Sequence, residues 1–134
     1  MSEIGNSRKG ALLGWVFSAI VILALAADAA VDLFFPSLIK AEMEATGFAA
    51  DHAGLLGMII LVCAILYAIP RTAVLGAILT TGFLGGAICT HFRLGELGSP
   101  PQLISLLLGV LAWGGLYLRD QRVRALLPIR AAIR

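Results

Sequence analysis

The stretch ALLGWVFSAIVILALAADAAVDLFF, Ala11 to Phe35, runs into Pro36 and decides how the rest of the chain is read. It is apolar over more than the about 20 residues that a helix needs to cross a bilayer. Only Asp28 and Asp32 interrupt it. A carboxylate at such depth costs roughly 2.5–3.5 kcal/mol on insertion scales, so it faces protein or a wet cavity rather than lipid. Four residues apart, the two lie on one helical face, one turn above the other. Two readings stand side by side: an interfacial Asp32 with a structurally paired Asp28, or two members of a site.

The composition restricts the chemistry. Of 134 residues, 60% are hydrophobic and 13% charged, against about 25% charged in soluble domains. A single membrane domain over 1–134 follows. The net charge of +2 comes from unevenly placed arginines, so nucleic acid is not an expected partner. Cys63 and Cys89 form no Cys-x-x-Cys pair and no metal pattern. There is no Gly-rich phosphate loop and no His-Glu-x-x-His signature, so no metal site is assigned. Arg8 and Lys9 before an apolar run that contains Ala24-Leu25-Ala26 resemble a signal peptide. The run is long for a signal core and continues past the small residues, so it reads as a retained helix.

The expected architecture is all-α, an integral membrane four-helix bundle with helices at about 11–35, 53–69, 72–92 and 101–118. Pro36 stops the first helix. Ser37 to Thr46 alternates apolar Leu38, Ile39 and Met43 with Lys40, Glu42 and Glu44. With Ser37 as cap and Gly47 as stop, it reads as a short interfacial helix. Pro70-Arg71-Thr72 is a tight turn between helices two and three. Gly82 and Gly86, with Gly76, Ala77 and Gly85 nearby, read as packing glycines that let another helix approach. Residues 119–134 form a basic tail.

Orientation follows from the Lys/Arg bias. With both termini cytoplasmic, eight of the ten basic residues fall inside, and only Lys40 and Arg93 fall outside. Trp15, Tyr67 and Tyr117 then come near the inner interface, as an aromatic belt requires. The tail is placed on the inner leaflet, attracted by anionic lipid. The expected location is the bacterial cytoplasmic membrane.

At 1.5 Å per helical residue, Asp28 lies about 26 Å and Asp32 about 32 Å from the inner end of the first helix, and His91 about 29 Å up the third. Gln102 and Ser105 belong to the outer quarter of the fourth helix, and Asp51 and His52 to the outer mouth of the second. Every ionisable group of the membrane core therefore falls at one end. Two carboxyls close together in a low-dielectric place do not both ionise readily. With His91 or Arg93 beside them, such a set holds a proton near neutral pH, which suits acid–base work. Asp28, Asp32 and His91 are the expected catalytic or proton-handling residues, and His52, Arg93, Gln102 and Ser105 the expected ligand contacts. Cys63 and Cys89 lie at depths of about 10 and 26 Å, too far apart for the 4.4–6.8 Å α-carbon separation of a disulfide.

Tyr67-Ala-Ile-Pro-Arg-Thr-Ala-Val-Leu-Gly76 and Thr81-Gly-Phe-Leu-Gly-Gly-Ala-Ile-Cys-Thr-His91 resemble the DoxX-like family of small four-helix membrane proteins. Trp113-Gly-Gly-Leu-Tyr-Leu-Arg-Asp120 and Arg124-Ala-Leu-Leu-Pro128 fit the same pattern, which is strongest over 54–130. The resemblance implies a four-helix bundle. Family members range from quinone-linked oxidoreductase subunits to assembly and trafficking factors. Asp32 stands where relatives carry a Lys, Ile60 where they often carry a Glu, and His91 after Thr90 keeps the pattern. The departures imply a more acidic, lipophilic site. The leading expectation is a protein that binds a lipophilic, quinone-like molecule near the outer leaflet as a small subunit of a redox complex. The alternatives are a stand-alone acid–base isomerase, cyclase or epoxide-opening enzyme and a membrane-protein assembly factor. The expected partners are the lipid bilayer, the lipophilic ligand, and a second copy of the chain or redox-complex subunits. Quinone is the one cofactor considered.

Overall fold

Proline and glycine set the boundaries of the elements. In the computed structural model, which describes residues 2–127, α1 spans Ser2–Phe34 and α2 spans Pro36–Thr46. A single 3-10 turn, Ala50–His52, leads into α3, Ala53–Ala68. Then come α4 (Ala73–Arg93), α5 (Pro100–Arg119) and a short α6 (Gln121–Leu126). Pro36 and Pro100 each begin a helix, where the missing N–H is no loss. The first helix extends further upstream than Ala11. Arg119, placed in the tail by the sequence, is the last residue of α5, and within the tail Gln121–Leu126 are helical. Arg130 and Arg134 lie outside the described residues.

Among the described residues four segments are long and apolar enough to span a membrane: Arg8–Phe34, Ala50–Ala68, Ala73–Arg93 and Pro100–Arg119. The shortest has 19 residues, which is about 28 Å of helix. Their outer faces are apolar: Leu23 is 70% exposed, Leu55 61% and Val110 62%. Contiguous apolar exposure on this scale suits lipid and not water. This is an integral membrane protein.

The packing order is a square. α1 packs on α3 and α5, and α4 packs on the same two helices, so α1 and α4 stand on a diagonal. The α1 stripe Ser18, Val21, Leu25, Ala29 and Asp32 recurs at helical spacing and is buried. Without a hydrophobic driving force in lipid, close backbone approach holds such helices together. Of the expected glycines Gly76 supplies it, joined by Gly14 and Gly57. A Cβ on Gly14 would meet Gly115 O at 2.8 Å, one on Gly57 would meet the Asp32 Cβ at 2.7 Å, and one on Gly76 would collide with the Tyr67 backbone. Gly82, Gly85 and Gly86 face open space instead.

At the end opposite α2, Tyr67 is fully buried. Its hydroxyl donates to the Ala112 carbonyl (2.8 Å) and lies 3.1 Å from the Ser18 hydroxyl. It therefore belongs to the core and not to an aromatic belt. The Arg119 guanidinium stacks on Trp15 at 4.3 Å and approaches the Tyr67 ring at 5.5 Å. Asp120 caps α6 by accepting from the Arg122 N–H.

Candidate functional site

The two ends of α2 and α4 nearest each other close in the same way. Gly47 takes a left-handed φ of +83°, with Gly47 N–H donating to Glu44 O and Phe48 N–H to Met43 O. Gly95 takes φ +77°, with Gly95 N–H donating to Phe92 O and Glu96 N–H to His91 O. Both are Schellman motifs, which bring the residue after the glycine back over the third residue from the helix end. In the first, this pairs Phe48 with Met43. In the second it pairs Glu96 with His91, and the usual apolar contact is replaced by a hydrogen bond from His91 Nδ1 to Glu96 Oε2 at 2.7 Å. A carboxylate can only accept, so Nδ1 carries the proton, and in the neutral imidazole Nε2 is the acceptor.

A cavity of about 390 Å³ opens between these features. Asp28 and Asp32 line it from α1, and Ile39, Glu42, Met43 and Thr46 from α2. Gly82, Phe83, Gly86, Ala87, Thr90 and His91 form the α4 wall, with Phe48 and Leu56 completing it. Its origin is steric. The helices on the diagonal do not pack closely, Gly82 and Gly86 contribute no side chain to fill the gap, and α2 roofs it. The lining is mostly apolar, with a few polar groups converging, and the volume lies within the roughly 300–1,000 Å³ of small-molecule sites.

Asp28, Asp32 and His91 are thus brought to one cavity. The two aspartates differ in surroundings. Asp28 is one turn deeper along α1 but keeps an exposed side chain. Asp32 is only 7% exposed and has no hydrogen-bond partner among the described residues. It also borders a second depression that holds Lys40 and Asp51.

The four expected ligand contacts do not line this cavity. His52 is exposed in the 3-10 turn. Arg93 reaches across to donate to the Thr46 carbonyl at 2.9 Å, tying α4 to the end of α2. The Gln102 amide is occupied at both ends, accepting from Gly98 N–H and donating to Ile88 O. Ser105 is buried on α5, which contributes nothing to the cavity wall. Helix rotation was the missing variable for all four, because depth alone cannot tell an inward face from a sideways one.

Two site residues escaped the sequence reading. Glu42 was grouped with the polar face of α2, yet Ile39, Glu42, Met43 and Thr46 follow helical spacing on one face. Its charge acts on both Asp28 and Asp32. Glu96 lies between α4 and α5. The signal was a Gly preceding it and a His five residues before it, the spacing of a Schellman closure. Cys63 and Cys89 are both free. Among the described residues no three His, Cys, Asp or Glu side chains converge as a metal-ligand set.

A family model described as the DoxX-like family matches residues 16–115. The chain belongs to the DoxX-like family. The matched stretch contains every residue that lines the cavity in this DoxX-like protein. No curated protein and no solved structure matches the chain.

Proposed function

We propose that this DoxX-like protein binds a lipophilic small molecule in the cavity between α1, α2 and α4. Its polar head would contact Asp28, Asp32, Glu42 and His91, and its apolar body would lie along Phe83, Met43 and Phe48. The observation that carries the reading is the mostly apolar lining around Asp32, a buried residue whose carboxylate opens to the cavity with no hydrogen-bond partner among the described residues. A buried ionisable group without a partner is costly, and a ligand that supplies the partner removes that cost. With the termini cytoplasmic, as the Lys/Arg bias argues, the site opens at the outer leaflet. A quinone-like ring suits this volume, and its reduced form brings hydroxyl donors to the carboxylates. On this reading the protein serves as the ligand-holding subunit of a redox complex.

The acid–base enzyme reading has one specific support: the His91–Glu96 pair. A histidine whose Nδ1 is held by a carboxylate presents Nε2 as a positioned base, the arrangement used in general-base sites. Binding and turnover separate in one experiment. The protein is purified in a mild detergent, its copurified small molecules are extracted and weighed by mass spectrometry, and the extract is incubated with fresh protein. A binder returns the molecule unchanged, and Asp32→Asn lowers its recovery. An enzyme converts it, and His91→Ala stops conversion. Absence of any copurified lipophile from the wild type, with none taken up from a lipid extract, would overturn both readings.

A further inference from the structure

The cavity is a set of acceptors whose own donors are already committed. Thr46 Oγ1 donates to the Glu42 and Met43 carbonyls at 3.0 and 2.9 Å. Thr90 Oγ1 donates to the Gly86 carbonyl at 3.0 Å. The His91 Nδ1 proton is held by Glu96 at 2.7 Å. The carboxylates of Asp28, Asp32 and Glu42 remain, and in their ionised forms these accept, as does Nε2 of a neutral His91.

The charge is equally one-sided. Three carboxylates line the cavity, and among the described residues no Lys or Arg does. The two nearest cations on these elements are otherwise engaged. Arg93 donates to the Thr46 carbonyl, and Lys40, which lines the neighbouring depression, lies 3.9 Å from Glu44. The buried Asp32 is the decisive group, since it is 7% exposed, borders the cavity, and has no partner among the described residues. In a site of low dielectric an unpaired carboxylate attracts a cation and repels an anion by far more than in water.

We infer that the occupant's head group is a protonated amine, a cationic hydrogen-bond donor on an apolar tail, held by Asp32 and Glu42 with Asp28 beside them. This rests on the ligand-binding reading above but replaces its quinone-like ring with an amine head group. A primary alkylamine is charged at neutral pH, since such groups titrate near the lysine value of about 10.4. Its three N–H bonds match the acceptors that surround it, and its chain takes the Phe83–Phe48 side. A fatty acid or phosphate ester is excluded by repulsion, and an oxidised quinone offers only acceptors to a site made of acceptors.

The test uses the full chain in nanodiscs, with empty nanodiscs as background and radiolabelled decylamine as probe at pH 7. Saturable decylamine binding is expected, with decanoate unable to compete and decanol or a decylbenzoquinone competing about ten- to a hundredfold less well, the worth of a charge-assisted hydrogen bond. Asp32→Asn and Glu42→Gln each narrow that gap, and the double variant closes it. Gly86→Leu serves as the control. A Cβ there meets nothing within 4 Å, so the leucine fills the cavity and abolishes saturable binding of every probe. If decanol or the quinone competes as well as decylamine while Gly86→Leu still blocks binding, the amine inference is wrong and the ligand site stands. If no saturable component exists, or Gly86→Leu leaves it unchanged, the site itself is overturned.

Discussion

Asp32 sits on the stripe that α1 presents to the core, three residues beyond Ala29, and Gly57 of α3 makes room for it. That position explains its enclosure better than depth does. The glycines divide by what surrounds them, and stability measurements check the division. Gly57→Ala and Gly115→Ala force a methyl against Asp32 and against the Ser18 hydroxyl at 2.7 Å, and are expected to destabilise by about 1–3 kcal/mol as overpacking does. Gly86→Ala meets no atom and is expected to be neutral or to stabilise by up to about 1 kcal/mol. Thermal unfolding in one detergent ranks the three, and an equal loss at Gly86 would contradict the assignment. Tyr67→Phe removes the donor to Ala112 and is expected to cost about 0.6 kcal/mol, the average of such bonds in membranes. Asp28 and Asp32 were legible as costly charges, and His91 as their equal in depth. Glu42 was not, because a carboxylate on an interfacial helix is usually solvated and only the register of α2 turns it inward.

At the scale of elements, the two Schellman closures fix the roof and one wall of the cavity. Gly95→Ala strains a left-handed position by about 1–2 kcal/mol and is expected to detach Glu96 from His91. Nitrogen NMR of the imidazole then shows a mixture of tautomers where the wild type shows the Nδ1–H form; an unchanged spectrum would mean that Glu96 does not hold the ring. At the other end of the bundle the Arg122 side chain, hydrogen-bonded to Asp120, holds that carboxyl below its ordinary 3.8. A depressed value means that the α6 cap contributes fully above pH 3.8 and is lost as pH falls further, through the folded-state value. Trypsin cleavage at Arg122 and Arg124, followed after brief acid exposure and quenching, is expected to rise on that side of pH 3.8, and Asp120→Asn is expected to remove the dependence. The helices themselves were legible because Pro36, Gly47, Pro70 and Pro100 punctuate the apolar runs. The rotation of each helix was not, since a chain apolar on nearly every face carries no periodicity to set it.

The whole molecule is a square of four spans with one diagonal left open at the α2 end. The expected bundle and its span boundaries agree with α1, α3, α4 and α5 to within a residue or so, except for the longer start of α1. The DoxX-like match over residues 16–115 covers this square. Which diagonal stays open was beyond the sequence, because it depends on where Gly14, Gly57, Gly76 and Gly115 let helices touch and where Gly82 and Gly86 leave a void. Orientation is checked by single cysteines in a Cys63→Ser, Cys89→Ser background. A membrane-impermeant maleimide applied to intact cells should label a cysteine at Glu44 and spare one at Arg71, and the reverse pattern would put the cavity at the inner leaflet. The most direct test of the cavity as a ligand site is photolabelling in nanodiscs with a decylamine bearing a diazirine, followed by peptide mass spectrometry. The account predicts adducts on Glu42, Met43, Phe48 and Phe83 that vanish with excess unlabelled decylamine. Adducts confined to lipid-facing residues such as Leu23, Leu55 and Val110, and indifferent to competitor, would contradict it.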